Sequence, residues 1–285
     1  MPSSTPRLLI CTDLDRTLLP NGLQPESPAA LPTLRRLVTR HEVALAYVSG
    51  RRLELHLEAM RSYDVPKPDY IIADVGASIY HDEGGSWKRD ELWFARLSAA
   101  WQGREWQDVL PLLSHIEGLV LQPVEAQAPH KLSFNVPNIA DHARLLEEVK
   151  TRLSKNEIHS HLIWSVDETV GMGLLDVMAE GATKLHAVEW LISCTGTPHE
   201  RVLYAGDSGN DLEVLTSGIR SVLVANATNE VRMEAIAGSA VHPESLYLAG
   251  GDTLGMNGCY SAGILEGVLH FFPELAGWMT EPQTD

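Results

Sequence analysis

An α/β fold with a parallel-sheet core and an inserted second layer is predicted by two patterns in the sequence. In residues 8–73, short apolar runs of strand length alternate with segments of helical spacing, which is typical of a parallel sheet covered by helices on both faces. In residues 84–179 the order changes to helix, strand, strand, repeated once, before the alternation resumes. We therefore expect a Rossmann-like core formed by residues 1–83 and 180–285, with residues 84–179 forming an inserted α+β cap.

Within the expected core, apolar runs mark the strands, and apolar side chains three or four residues apart mark the helices. In chain order, the predicted core elements are strands at residues 8–12, 42–48, 70–73, 201–205 and 221–225, and helices at about 28–40, 53–60, 183–192, 210–215 and 229–237. A polar, glycine-rich connector at residues 81–86 is expected to lead out of the core. A last apolar helix follows the segment 257–267.

Within the expected cap, the same patterns predict both helices and strands. The helices are at about residues 97–116 and 141–153, and the strands are at about 119–125, 131–136, 159–165 and 173–178. The early part of the cap is rich in tryptophan, with Trp87, Trp93, Trp101 and Trp106. Tryptophan faces can stack on sugar rings, but we expect most of these side chains to pack inside the protein.

The composition argues against several classes of partner. The chain has 285 residues and a formal net charge of −16, which disfavours a nucleic acid or an anionic membrane surface. Its three cysteines are far apart and form no C-x-x-C pattern, which fits a reducing compartment. No apolar run approaches membrane-spanning length, and residues 1–5 show no basic-then-apolar leader. We expect a cytoplasmic protein that is a monomer or a weak dimer.

Two aspartates directly after the first apolar run are the strongest chemical signal. Asp13 and Asp15 follow the predicted first strand, and ligand sites of parallel sheets lie beyond the carboxyl ends of the strands. Two carboxylates so close together repel each other unless a cation lies between them, and Mg²⁺ is a suitable hard cation. One aspartate is then free to act as a nucleophile while the other handles protons. The alternative is that these residues, with Thr17, only form a turn that caps a helix.

Two further segments of the expected core could bind phosphate. Ser49, Gly50 and Arg51 follow the second predicted strand and offer a hydroxyl, a flexible backbone and a guanidinium. Lys184 stands at a predicted helix start, where its charge lies beside backbone donors. Taken singly, the first segment could be a loop turn and the lysine could be an ordinary surface residue.

A fourth polar segment, residues 206–211, follows another apolar run. Its glycine allows a close turn, and Asp207 and Asp211 can serve a cation. Each of the four segments alone has an ordinary structural explanation, and this one could be a helix N-cap. Their occurrence in this order, each after the appropriate element, favours phosphate chemistry at a metal site.

The four segments resemble the motifs of the haloacid dehalogenase superfamily of magnesium-dependent phosphohydrolases. The resemblance covers essentially the whole chain, including an α/β cap inserted after the third core strand. Within that superfamily, the chain is most similar to the sucrose-phosphate phosphatases. The segments that carry this closer resemblance are residues 131–136 (KLSFNV), 175–184 (LDVMAEGATK), 206–211 (GDSGND) and 258–267 (GCYSAGILEG). The last two are shared with enzymes that act on related glycosyl phosphates.

The resemblance implies a Mg²⁺-dependent reaction through an aspartyl-phosphate. Asp13 would be the nucleophile, and Asp15 would donate and then accept the proton. Mg²⁺ would be held by Asp13, by the backbone carbonyl of Asp15 and by Asp207, with Asp211 orienting the surrounding ligands. Ser49 and Lys184 would stabilise the charge on the phosphoryl oxygens, and Asn210 would help to hold Lys184 or the phosphate loop. The other residues of the expected phosphate site are Thr17, Gly50 and Arg51.

In the cap, the resemblance implies that His130 and Lys131 contact the sugar of a phosphorylated sugar substrate. Each also has an ordinary structural alternative, which for Lys131 is a solvated strand lysine. The expected substrate is sucrose 6-phosphate or a similar disaccharide phosphate. Mannosyl-3-phosphoglycerate, mannosylfructose phosphate and glucosylglycerol phosphate are alternatives, and a non-catalytic sugar-phosphate-binding module is a further one.

The sequence also departs from the family pattern. Arg16 stands where much of the superfamily has glycine, and Ala179 stands where the sucrose-phosphatase branch commonly has proline. Residues 84–106 and 166–173 follow no recognisable family pattern. These segments are in or beside the cap, so the sequence predicts the phosphate chemistry in more detail than it predicts the sugar.

Overall fold

The computed structural model describes residues 8–138, 140, 142–167 and 171–280, which form two sheets with covering helices. Residues 1–5, Asp141 at the start of the second predicted cap helix, and part of the segment 166–173 lie outside these ranges. In chain order the strands are β1 (Leu8–Thr12), β2 (Val43–Val48), β3 (Tyr70–Ala73), β4 (Ser78–Glu83), β5 (Ser86–Arg89), β6 (Val120–Leu121), β7 (Lys131–Val136), β8 (Ser160–Asp167), β9 (Met172–Ala179), β10 (Val202–Gly206), β11 (Ser221–Leu223) and β12 (Leu246–Leu248). The helices are α1 (Ala30–Val38), α2 (Leu53–Tyr63), α3 (Glu91–Ala100), α4 (Trp106–Leu113), α5 (His142–Lys155), α6 (Lys184–Thr195), α7 (Leu212–Leu215), α8 (Asn229–Gly238), α9 (Ser261–Phe271) and α10 (Ala276–Thr280).

The larger sheet is centred on β1. Its strand order is β12-β11-β10-β1-β2-β3-β4-β5, with parallel pairing from β12 through β3 and antiparallel pairing of β4 and β5. The chain adds strands from β1 towards β3 on one side and from β10 towards β12 on the other. The strand order therefore reverses beside β1, and ligands of open α/β sheets bind at such a point. The predicted α/β fold class is confirmed.

The apolar sequence of β1 explains why it is the central strand. All of its side chains are buried, as expected for a strand covered by helices on both faces. Successive side chains point to opposite faces, so Leu8 and Ile10 pack in the cluster of α1 and α9, while Leu9 and Cys11 pack in the cluster of α6 and α7. No helix in the described ranges is long and apolar enough to cross a bilayer.

The smaller sheet is antiparallel and has the order β6-β7-β9-β8. Strand β7 pairs with β9 along its whole length, and Lys131 lies opposite Met178. Leu132, Phe134 and Val136 are buried, together with apolar residues of α3, α4 and α5. Their alternation with polar residues gives β7 one apolar face, which is why this strand can be predicted with correct bounds.

Several parts of the chain differ from the sequence prediction. The strand expected at residues 119–125 is only the two-residue β6, followed by a 3-10 turn at Val124–Ala126, and β12 was not predicted. The expected connector at residues 81–86 is the turn and flanks of the β4–β5 hairpin, which extends the larger sheet. Its alternation of residue types is weak, because the hairpin is at the sheet edge and only partly buried. The single helix expected at residues 97–116 is two helices, because Gln102 and Gly103 have positive φ angles of 55° and 78° that end α3.

The turn after β3 packs closely against the point where the chain re-enters the core. Gly76 follows β3, and a Cβ atom at this position would lie 2.3 Å from the carbonyl oxygen of Thr183, which precedes α6. The Trp93 indole also donates a hydrogen bond of 3.0 Å to the Gly76 carbonyl. Only glycine allows this approach at a φ of 102°. Because the β4–β5 hairpin belongs to the larger sheet, we propose that the cap begins after Arg89 and not at residue 84.

Candidate active site

Asp13 lies at the carboxyl end of β1, at the point where the strand order reverses. Its N–H donates to the Ala205 carbonyl at 2.9 Å, which continues the pairing of β1 with β10 by one residue. The chain then turns sharply, and the Leu14 carbonyl accepts the N–H groups of Thr17 and Leu18 at 3.2 and 3.0 Å. The Asp13 side chain is almost fully buried, so its carboxylate is held in a fixed direction.

Lys184 is completely buried and joins three acceptors. Its Nζ donates to Asp13 Oδ1 at 2.8 Å, to Asn210 Oδ1 at 2.7 Å and to Asp211 Oδ1 at 2.7 Å. Burial alone would lower the pKa of Lys184, but Asp13 and Asp211 raise it above its ordinary value, so the lysine is charged. The side chain reaches this position because α6 begins at Lys184, with Thr183 as its N-cap.

Asp211 is held from several sides. Its Oδ2 accepts the N–H groups of Asp207 and Ser208 at 3.0 and 3.1 Å, and its Oδ1 accepts the hydroxyl of Tyr204 as well as Lys184. Both oxygens are therefore occupied by donors of the protein. This arrangement fits the expectation that Asp211 orients the site, and Tyr204 is a member of the network that the sequence analysis did not find.

Among the described residues, the carboxylates of Asp13, Asp207 and Asp211 form the group that could hold a metal ion, with ligand oxygens within 4.8 Å of one another. Burial raises the pKa of Asp13 to about 7; Lys184 opposes the shift, and Asp211 and Asp207 add to it. Burial and Asp211 raise the pKa of Asp207 to about 6. A hard divalent cation would relieve this repulsion, so the donor set fits Mg²⁺. With Asp211 occupied by donors, Asp13 and Asp207 are the candidate direct ligands.

Asp15 lies apart from this carboxylate group and forms a two-bond ion pair with Arg51. Arg51 donates from Nε and Nη2 at 2.7 and 2.6 Å, and Asn21 donates to the same carboxylate at 2.7 Å. Burial tends to raise the pKa of Asp15, but the bonds from Arg51 and Asn21 lower it below its ordinary value. The expected metal contact through the Asp15 backbone carbonyl remains a proposal, since the side chain is engaged elsewhere.

Thr17 and Arg16 contact the two oxygens of Asp207. The Thr17 hydroxyl donates to Asp207 Oδ1 at 3.0 Å, and Arg16 Nε lies 3.5 Å from Asp207 Oδ2. Thr17 is expected from the sequence to touch the substrate, but its hydroxyl is used to position a candidate metal ligand. The strand β10 supports the same aspartate, since it ends at Gly206, directly before Asp207.

Ser49 and Gly50 form the opposite wall of the site, at the end of β2. Ser49 is buried, its N–H bonds to Ile72 of β3, and its hydroxyl oxygen accepts the N–H of Arg51 at 3.2 Å. These residues line an open cleft of about 380 Å³. The cleft is lined by Asp13, Asp15, Arg16, Ser49, Gly50, Arg51, Leu55, Asp207, Ser208 and Asn210.

A second cleft of about 370 Å³ continues towards the smaller sheet. It shares Gly50 and Leu55 with the first cleft, and Lys131 of β7 lines its far side. Lys131 is 3.7 Å from Asp176, whose carboxylate also accepts the Ser133 hydroxyl at 2.5 Å. The structure therefore brings Lys131 close to the first cleft, on the side where the organic part of a substrate bound beside Asp13 would extend.

His130 lies elsewhere, although it is adjacent to Lys131 in the sequence. It is 1% exposed and packs against Phe94 and Trp101, with ring centroids 4.7 and 6.0 Å away, and it lines neither cleft. Neighbouring residues of a strand point to opposite faces, so only one of the pair can face a ligand. The predicted sugar contact at His130 does not agree with this burial. Trp93 and Trp101 are also buried, as expected for core tryptophans.

The site geometry can be compared with known proteins. Residues 6–272 match the family model of sucrose-6F-phosphate phosphohydrolase. The chain belongs to this family. The predicted family and the predicted enzyme class, a phosphoric monoester hydrolase, are thereby confirmed.

Individual relatives agree with this assignment. The chain is 46% identical over 274 residues to a HAD-like hydrolase of Nitrosococcus oceani, covering 96% of this chain and 74% of that protein. It is 32% identical to Probable sucrose-phosphatase 1 of Arabidopsis thaliana, over 80% of this chain but only 53% of the relative, so it spans about half of the plant protein. The sucrose-phosphatase of Synechocystis, solved with sucrose and phosphate, has a TM-score of 0.69 at 25% identity, covering 93% of this chain and 98% of that one.

Several polar residues around the clefts are absent from the sequence prediction. Asp74 and Asn226 follow β3 and β11, so the rule that sites lie at strand ends could have found them. Asp74 is buried and lines the second cleft. Asn21 is in an irregular loop, and no pattern in the sequence marks it.

Proposed function

We propose that the protein is a Mg²⁺-dependent phosphohydrolase that removes phosphate from a disaccharide phosphate such as sucrose 6-phosphate, through an aspartyl-phosphate. The observation that carries the proposal is the Asp13 carboxylate, which borders an open cleft and is held by the buried Lys184 beside two further carboxylates. One oxygen of Asp13 accepts a hydrogen bond from Lys184, and within the described residues no hydrogen bond engages the other oxygen. That arrangement suits a nucleophile with a fixed direction of attack.

In the first step, an oxygen of Asp13 would attack phosphorus, and the bond from phosphorus to the sugar oxygen would break. The leaving oxygen takes a proton from Asp15, and the product is a sugar and an aspartyl-phosphate. In the second step, water loses a proton to Asp15 and attacks phosphorus, which frees Asp13 and inorganic phosphate. Lys184 and the Ser49 hydroxyl would stabilise charge on the phosphoryl oxygens in both steps. A bound Mg²⁺, held by Asp13 and Asp207, would supply charge neutralisation at the phosphoryl group.

The ion pair between Asp15 and Arg51 bears on the proton transfers. As long as Arg51 bonds to both oxygens, the Asp15 carboxylate is ionised and cannot donate a proton. We infer that Arg51 parts from Asp15 when substrate enters, since the guanidinium lines the same cleft. The freed guanidinium could then bind a phosphoryl oxygen, as expected from the sequence, and Asp15 could become the acid.

The second cleft supports a leaving group with several hydroxyls. It combines a lysine donor, Lys131, with carboxylate acceptors, Asp74 and Glu125, and with the apolar side chains of Leu55 and Pro123. Sugars are bound by such combinations of charged hydrogen-bond partners and apolar surface. Sucrose 6-phosphate is our first candidate because the matched family and the Synechocystis structure share this substrate type in their names.

A substrate screen tests the proposal directly. The purified protein is incubated with sucrose 6-phosphate, mannosylfructose phosphate, glucosylglycerol phosphate, mannosyl-3-phosphoglycerate and glucose 6-phosphate, with and without Mg²⁺, and released phosphate is measured. We expect the highest kcat/KM for a disaccharide phosphate, and only with Mg²⁺. A preference for a different glycosyl phosphate would keep the reaction and replace the sugar. No release from any substrate would favour the non-catalytic alternative, a sugar-phosphate-binding module.

A further inference from the structure

Arg16 adopts a backbone conformation that residues other than glycine rarely adopt. It lies between Asp15 and Thr17 with a φ of 61°, in the left-handed region. Glycine has no steric penalty there, whereas a residue with a Cβ atom is disfavoured by roughly 1 kcal/mol. The sequence keeps a large charged side chain at a position that glycine would occupy more easily, and such outliers point to a function of the side chain.

Two asparagines hold the backbone of Arg16 in place. The Arg16 N–H donates to Asn21 Oδ1 at 2.8 Å, and the Arg16 carbonyl accepts the side-chain amide of Asn226 at 2.6 Å. Asn226 is buried, and its own oxygen accepts the N–H of Tyr260, at the start of α9, at 3.0 Å. The left-handed turn is therefore fixed on both sides of Arg16 by the surrounding fold.

This turn presents the Arg16 guanidinium to the cleft lined by Asp13 and Asp207, here called the phosphate cleft. Only long contacts hold the guanidinium there. The side chain of Arg16 lines the cleft and is 42% exposed, and its contacts to Asp207 and to the Asn226 carbonyl are 3.5 and 3.4 Å long. Arg51 and Lys184, by contrast, are each held by carboxylates at 2.8 Å or less. An anion that enters the cleft can therefore bind Arg16 without breaking a close ion pair.

We propose that Arg16 is an additional anion-binding residue, which binds a phosphoryl oxygen of the phosphate monoester substrate and of the phosphate product. A guanidinium matches the geometry of phosphate oxygens through paired N–H groups. The chain has a net charge of −16, and the cleft contains the carboxylates of Asp13, Asp15 and Asp207, so a phosphate needs local positive charge. The proposal rests on the proposed phosphatase function, because the ligand is the phosphate of the same site.

The test compares two variants, R16G and R16Q. Both remove the charge, but only R16G also relieves the left-handed backbone. Binding of inorganic phosphate is measured by calorimetry in the presence of Mg²⁺, and KM is measured for the preferred sugar phosphate. We expect both variants to weaken phosphate binding about tenfold and to raise KM similarly, which corresponds to about 1.4 kcal/mol. The melting temperature should be equal to wild type in R16Q and equal or higher in R16G.

Two further variants control for backbone effects. Gln102 also has a positive φ, of 55°, but lies away from both clefts, so Q102G should relieve strain without changing phosphate binding. N226A removes the hydrogen bond from the Asn226 amide to the carbonyl of residue 16, here called the clamp. It should weaken phosphate binding in the wild-type background and have a smaller effect in the R16G background, because glycine adopts the left-handed conformation without this bond. Equal losses from N226A in both backgrounds would contradict a role of the clamp in presenting Arg16.

The outcomes separate this proposal from the proposed function. Phosphate affinity and KM that are unchanged in both R16G and R16Q would overturn the role of Arg16, while hydrolysis by the wild type would still support the phosphatase. If the wild type hydrolyses no sugar phosphate but loses phosphate affinity in R16G and R16Q, the anion site stands and the proposed function fails. A wild-type protein that neither binds phosphate with Mg²⁺ nor hydrolyses any sugar phosphate would overturn both.

Discussion

The phosphate cleft, beside Asp13, and the second cleft, beside Lys131 and called the sugar-side cleft after its proposed role, are built from different kinds of interaction. In the phosphate cleft, Lys184 uses its three protons on three acceptors, and both oxygens of Asp211 are occupied by protein donors. In the sugar-side cleft, Lys131 has only a 3.7 Å contact with Asp176 and a 3.4 Å contact with a backbone carbonyl. The first cleft is therefore preorganised for one reaction, whereas the second leaves donors available for a variable ligand. The following predictions test this contrast, from the largest expected effect to the smallest.

The largest effect should come from the nucleophile. In Asp13→Asn the amide is nearly isosteric with the carboxylate but cannot form an acyl-phosphate, so turnover should fall by at least about a thousandfold. The released phosphate is measured under saturating sugar phosphate, with Asp252→Asn as a control outside both clefts. A variant that keeps a tenth of wild-type activity while folded would rule out the covalent mechanism.

Removal of divalent metal should have a comparable effect on activity and an additional effect on stability. The buried carboxylates of Asp13 and Asp207 repel each other, and a bound Mg²⁺ would relieve this repulsion. A chelator should therefore abolish turnover, and added Mg²⁺ should restore it. Because a ligand that binds only the folded state stabilises it, Mg²⁺ should also raise the melting temperature. In Asp207→Asn this increase should be much smaller. Full activity in excess chelator would contradict the metal site.

Damage to the sugar-side cleft should separate binding from chemistry. Lys131→Ala should raise KM for the preferred sugar phosphate by an amount worth roughly 1–3 kcal/mol, the usual cost of losing a charged hydrogen bond. Turnover of a small aryl phosphate should change much less, because that substrate has no sugar to lose. Lys150→Ala, on the exposed side of α5, is the matched control. Equal losses on both substrates would assign Lys131 to the phosphate site and remove the contrast between the two clefts.

The smallest effect should come from His130, and it should concern stability instead of substrate binding. His130 is buried, and neither ring nitrogen has a hydrogen-bond partner among the residues that the structure describes. His130→Phe should therefore stabilise the fold by about 1 kcal/mol and leave KM unchanged. Chemical denaturation and kinetics with the sugar phosphate check both statements. A higher KM for the sugar phosphate alone would place His130 in the sugar site after all.

The same residue should affect the pH dependence of stability. Burial, with a contribution from Arg89, lowers the pKa of His130 to about 4 in the folded state, whereas the unfolded value is near 6.5. The unfolded chain therefore binds a proton that the folded chain does not, so the stability of the wild type falls as pH decreases from about 6.5 to 4. His130→Phe should make the free energy of unfolding less dependent on pH in this range. Burial also lowers the pKa of His56 to about 4, so His56 should contribute to the pH dependence that remains.

The sequence predicts the phosphate cleft well because each of its main residues is tied to the end of a strand or the start of a helix. Asp13 follows β1, Ser49 follows β2, Asp207 follows β10, and Lys184 begins α6, so the fold class alone brings them together. The detailed hydrogen bonds are different, because they depend on loop conformation. Thr17 contacts Asp207 instead of facing the cleft, and Arg51 bonds to Asp15.

The cap is less predictable because its residues have no such fixed position. His130 directly precedes β7, and the period of two puts it on the side of the apolar residues Leu132, Phe134 and Val136. The alternation therefore favours a core position for His130, whereas the family resemblance assigned it to the sugar. The β4–β5 hairpin was also missed, because an exposed edge hairpin carries no alternation that distinguishes it from a polar loop. Asn21 could not be predicted either, since its hydrogen bond to the Arg16 N–H depends on the left-handed turn at Arg16.

The close approach of Gly76 and Thr183 has a consequence for how such enzymes diverge. Because Gly76 precedes β4 and Thr183 precedes α6, both residues belong to the core, and their contact does not depend on the length of the cap. Mutations can therefore accumulate in the cap without altering the spacing of the residues that handle phosphate. On the proposed role of the cap in sugar recognition, exchanging the cap should change the preferred sugar and leave the residues at the strand ends of the core in place. We expect Gly76 to be preserved in such an exchange, because a Cβ atom there would lie 2.3 Å from the Thr183 carbonyl oxygen.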